Sequence, residues 1–101
     1  MIDFKKDPLR FVLNAAYQQA MDPKQKGMIR HGSDKPFREQ ISCCITRLVG
    51  IGYPLGQALK KHDEAQRLEK KAAIHDLLGA INCVAIGIIA LMEGEDEKDR
   101  K

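Results

Sequence analysis

From Leu9 to Ala20 the apolar residues recur every three or four positions, as Leu9, Val12, Leu13, Ala16, Tyr17 and Ala20. That is the period of one helix face. Asp7 and Pro8 stand where a helix cap and first turn are expected, and Met21-Asp22-Pro23 closes the pattern, so a helix over about residues 8–21 is predicted. Residues 22–35 (DPKQKGMIRHGSDK) carry no apolar period and read as a surface loop. A second stripe, Phe37, Ile41, Cys44, Ile45, Leu48 and Val49, predicts a helix over about 35–49 with Pro36 in its first turn. Gly50-Ile51-Gly52-Tyr53-Pro54 must break or kink it. Two glycines weaken helix there, and Pro54 removes a backbone donor and disfavours helical geometry at Tyr53. Pro54 is also well placed to open a new turn, which predicts a helix over about 54–61.

The longest pattern predicts a helix over about 64–92. Ile74, Ile81 and Ile88 are spaced by heptads, and so are Leu77, Val84 and Leu91. Its first half is amphipathic, with Glu69, Lys70 and Lys71 outside, whereas Ala80–Met92 is apolar nearly all round and interrupted only by Asn82. A helix of that kind needs cover on every side. Gly79, Cys83 and Gly87 form a stripe of small side chains that admits another helix closely, from the same chain or from a second copy. One small domain offers little surface to hide such a helix, so a homo-oligomer is expected, with Gly79, Cys83, Gly87, Ile81 and Ile88 at its interface. The resulting expectation is an all-α fold: a single domain over 1–93, built as a short N-terminal helix and a kinked helical hairpin. A charged flexible tail over 94–101 (GEDEKDRK) follows it.

Composition changes this picture little. The chain has 101 residues, 44% of them hydrophobic and 31% charged, with no Trp and few aromatics, so its core must be aliphatic. A net charge of +3 does not call for nucleic acid, which is disfavoured as a partner, but it allows a local anion site. Cys43, Cys44 and Cys83 are odd in number and two are adjacent, so no disulfide framework follows and free buried thiols are expected. The charged N-terminus shows no secretory pattern, and the apolar run Ala80–Met92 is shorter than the ~20 residues that span a bilayer. No membrane partner and a cytoplasmic location are expected.

Catalytic chemistry finds little support. His31, His62 and His75 lack ligand spacing and no CxxC occurs, so no metal and no cofactor are expected. His75-Asp76 resembles the dipeptide of HD phosphohydrolases, without the other ligands that chemistry needs. Glu39, Glu64, Glu69 and Asp76 are the carboxylates available to a MazG-like, magnesium-dependent nucleotide pyrophosphohydrolase, but the paired ExxE and ExxD motifs are absent. The most suggestive cluster is basic: Arg30, His31, Ser33 and Lys35 precede or open a helix start, and Arg38 lies one turn in. Free backbone N–H groups, a hydroxyl and guanidinium groups together suit a phosphate; the alternative is a solvated loop whose Ser33 or Asp34 caps the helix. Lys60 and Lys61 form a second basic cluster, and Tyr17 or Tyr53 can stack on a base.

Gly52-Tyr53-Pro54-Leu55-Gly56, with its Gly-x-x-Leu-Gly step, and Asp76-Leu77 in the returning arm carry a resemblance over residues 36–92. They resemble the small phage-encoded helical-hairpin sponges that act against CBASS and Thoeris immunity. The resemblance implies an oligomer in the host cytoplasm that sequesters a cyclic nucleotide or cyclic ADP-ribose signal. Pro54 departs from that family's continuous arm, and residues 72–74 lack its Arg/aromatic signature. The expected function is therefore non-catalytic capture of a small anionic, nucleotide-like ligand that counters a host defence process. The pyrophosphohydrolase, or an inhibitor that docks on a host protein through the apolar helix, is the alternative.

Overall fold

The computed structural model describes residues 2–22 and 36–99, with side chains described through Gly94. The described residues form four α-helices and a single 3-10 turn, with no strand among them. The fold is all-α, as expected.

Helix α1 spans Pro8–Met21. Asp7 Oδ1 accepts the Arg10 N–H at 3.2 Å, which satisfies one of the free amides of the first turn, and Pro8 fills the first helical position. Its buried face is Ala16, Gln19 and Ala20, whereas Leu9, Leu13 and Tyr17 of the expected apolar stripe stand exposed. The 3-10 turn Phe37–Glu39 leads into helix α2, Ile41–Val49. The single helix expected over 35–49 is thus interrupted at Gln40. That residue is extended and buried, and its side-chain amide donates to the Ala20 carbonyl at 3.4 Å.

The face that α2 buries also differs from expectation. Ser42, Cys43 and Thr46 point inward, and Thr46 Oγ1 donates to the Ser42 carbonyl at 2.7 Å. Ile41, Leu48 and Val49 face out. Small side chains let α2 approach its neighbours closely, and that proximity outweighs the burial of larger residues. Gly50 then ends the helix at φ +98°, a backbone region closed to most L-residues, and its N–H donates to the Thr46 carbonyl at 2.8 Å.

Helix α3 is longer at both ends than the expected 54–61 and spans Gly52–Ala65. Pro54 sits in its first turn, where an N–H would have no helical partner, and its ring is fully buried. Residues 66–69 turn the chain, so the helix expected from 64 starts later. Glu69 supplies the reason: its carboxylate accepts the Lys71 and Ala72 N–H groups at 3.1 and 2.7 Å and caps helix α4, Lys70–Asp99. Helix α4 continues through most of the segment expected to be a tail.

The main packing is α3 on α4, followed by α1 on α4. At its centre Ala58 meets Ala80 and Cys83. A methyl placed on Gly79 would come within 3.3 Å of the Lys61 side chain, and one on Gly87 within 3.5 Å of Leu55. The stripe of small residues is therefore occupied by α3 of the same chain: Gly79, Cys83 and Gly87 are buried within the subunit. Of the expected interface residues, only Ile88, exposed, and Ile81, half-buried, remain accessible. Helix α4 is also more continuous in its apolarity than Ala80–Met92 suggested. By length and composition its segment Lys70–Gly94 is long and apolar enough to cross a membrane, because Leu77 and Leu78 extend the apolar run upstream of Ala80.

Candidate functional site

All four helices converge on a cavity of about 590 Å³, within the size range of small-molecule sites. One wall is a single face of α3, where Tyr53, Gln57, Lys60 and Lys61 recur at helical spacing. The opposite wall is one face of α4, with His75, Asp76, Gly79, Asn82, Cys83 and Ile86. Gln19 closes the α1 side, while Phe37, Ile41 and Ile45 supply apolar surface from the α2 side.

Several polar groups here are held in place. Asn82 Nδ2 donates to the Ala16 carbonyl at 2.9 Å and Gln19 Nε2 to the His75 carbonyl at 3.4 Å, which fixes α1 against α4. Lys61 lies across Gly79, and its Nζ comes within 3.9 Å of Asp76 Oδ1. Lys60 is exposed at the rim. His75 Nε2 is buried and has no hydrogen-bond partner among the described residues. A buried polar atom in that state is poised for a ligand or a water. Burial pushes the Cys83 thiol up despite the opposing pull of Lys61, and burial does the same to Cys43, so both are held protonated.

The expected site residues divide three ways. Tyr53, Lys60 and Lys61 meet in the cavity. Tyr17 is exposed on α1 and does not line it. Arg38 does not line the cavity: its exposed guanidinium pairs with Glu93 at 2.6 Å, and Arg47 binds the same carboxylate at 3.4 Å. Arg30, His31, Ser33 and Lys35 lie outside the described residues. The carboxylates proposed for magnesium stay apart. Glu39 is exposed, Glu69 caps α4 and Asp76 faces Lys61; no cluster of three metal-ligating side chains occurs among the described residues.

Gln19, Gln57, His75 and Asn82 were not anticipated as site residues. A signal did exist in α4: His75, Asp76 and Asn82 interrupt an apolar helix on one side only. Fold and cavity together define a small all-helical protein with a cavity of mixed polar and apolar lining between its helices. No protein-family model, curated protein or solved structure matches the chain.

Proposed function

We propose that the protein is a non-catalytic, self-associating binding protein that captures a small anionic, nucleotide-like ligand in the cavity between its helices. The observation that carries this is the gathering of Tyr53, Lys60 and Lys61 on one wall of a cavity of about 590 Å³. Tyr53 and the aliphatic side chains Ile45 and Ile86 offer a flat apolar seat for a base. Lys60 and Lys61 bring positive charge to the phosphate side, and the buried His75 Nε2 adds a polar contact within. Protonated Cys83 is a poor nucleophile, which favours holding the ligand over transforming it.

Self-association rests on a thin core. The buried apolar residues are mostly Ala and Cys, each worth only about 0.8 kcal/mol per buried carbon, while larger side chains stand outside. In this reading α2 and α3 form the outgoing arm of a hairpin kinked at Gly50, and α4 is the returning arm. A cyclic nucleotide signal taken out of solution in this way would be denied to a host defence receptor, which is the phage role that the sequence resemblance implies.

Calorimetry against cyclic and linear nucleotides tests the reading directly. Heat is expected with at least one of them, with affinity at least about tenfold weaker in Lys60→Glu, which alters an exposed rim charge. Silence across the panel removes the ligand assignment. Steady release of pyrophosphate and the nucleoside monophosphate from nucleoside triphosphates with magnesium would replace it with the pyrophosphohydrolase.

A further inference from the structure

The face of α4 turned away from the cavity carries a second pattern. Ile74, Leu77, Ile81, Val84, Ile88 and Leu91 alternate steps of three and four, the period of a helix-pairing seam. Gly79, Cys83 and Ile86 on the opposite side are buried against the rest of the chain. The seam is not. Ile74 is 50% exposed, Ile88 52%, Leu91 57% and the adjoining Met92 59%. Of the most apolar stretch of this helix, 28% is buried.

We infer that this seam is the contact between two copies of the chain, laid α4 against α4 in parallel about a two-fold axis. The inference deepens the self-association just proposed and is independent of the ligand. Three features select a second copy. First, isoleucines occupy one heptad position at 74, 81 and 88, while Leu77, Val84 and Leu91 occupy the other. A β-branched residue at the first position with mainly Leu at the second favours two parallel strands. Second, five of the six seam residues are at least 40% exposed along about 26 Å of helix, an uncovered apolar strip of the length a helix pair needs. Third, no charged residue lies on the seam, so a two-fold contact brings no like charges together.

A lipid bilayer is the less suitable cover, although α4 is long and apolar enough for one. Crossing it would carry His75, Asp76 and Asn82 into hydrocarbon and strip away α1 and α3, which Asn82 and Asp76 engage. Docking on the seam leaves those contacts intact.

Sedimentation equilibrium of the intact chain is the primary test, with a mass twice 11.3 kDa expected at micromolar concentration. Val84→Glu and, separately, Ile88→Glu should weaken the dimer at least a hundredfold while far-UV circular dichroism keeps the helical signal. Leu91→Glu, near the end of the seam, provides a milder variant should the others unfold. Ile88→Cys should form a symmetric disulfide under mild oxidation, because equivalent residues face one another only in the parallel arrangement. A dimer in which Ile88→Cys fails to cross-link overturns the parallel geometry. A wild-type monomer at 100 µM overturns the dimer altogether, as does a monomer that co-sediments with phosphatidylcholine vesicles or purifies in one-to-one complex with another protein. Ligand binding by a seam-disrupted monomer would sink nothing but the dimer's relevance to the cavity, whereas a wild-type dimer silent to every nucleotide would retain the seam and remove the ligand.

Discussion

At the scale of single residues, two glycines separate conformational need from its absence. Gly50 holds φ +98° at the end of α2, so Gly50→Ala is strained whatever the surrounding space, with an expected loss of about 1–2 kcal/mol. Gly56 lies inside α3 with open space where a methyl would go. Gly56→Ala is therefore expected to stabilise the protein by about 0.5–1 kcal/mol, since the cost of ordering glycine disappears without a clash. Urea titration of the two variants beside the parent checks both signs in a single experiment. Equal shifts in the same direction would contradict the backbone geometry assigned to these positions.

Among the elements, Glu93 is the fastening between α4 and the segment around α2. Its carboxylate takes the guanidinium groups of Arg38 and Arg47, and Arg47 also donates to the Arg38 carbonyl at 2.8 Å. The hydrogen bond from Arg47, helped by Arg38 and opposed by partial burial, holds the Glu93 carboxyl below its ordinary value of 4.5. A group lowered on folding contributes stability above its unfolded value and loses it as pH falls through the folded one. The stability gap between the parent and Glu93→Gln should thus be constant from pH 6 to 8, at most about 1 kcal/mol, and narrow progressively as pH falls below the ordinary 4.5. Chemical denaturation across that range measures it. Legibility in the sequence followed the same division between local and distant causes. The bounds of α1 come from Asp7, Pro8 and Asp22, all at the ends of the helix itself, and they could be read directly. The break at Gln40 depends on the Ala20 carbonyl, and the placing of Arg38 away from the cavity goes with its pairing to Glu93, 55 residues away. Neither partner announces itself by spacing. The inward face of α2 was misread because its apolar stripe is split, with Leu48 and Val49 exposed and Cys44 and Ile45 half-buried, while the fully buried positions are the small Ser42, Cys43 and Thr46. Tyr53, Lys60 and Lys61 were legible as chemistry, but their convergence with His75 needed the α3–α4 turn.

For the whole molecule, α4 is the element on which the others lean: α3 makes its largest contact there, and α1 and α2 pack on it as well. Removing it should not trim the fold in proportion to the residues lost. A chain ending at Glu69 is expected to show a coil-like circular dichroism spectrum with only weak residual helix, since α1–α3 then have no central partner. Retention of a cooperative thermal transition in that fragment would contradict the central role of α4. The order of synthesis gives this arrangement a temporal side. The ribosome makes α1, α2 and α3 before the helix that they fold upon, and at roughly 5–20 residues per second the remaining stretch takes several seconds to complete. During that interval the emerging polypeptide has almost nothing to consolidate it, so its apolar faces stay within reach of chaperones until α4 is made.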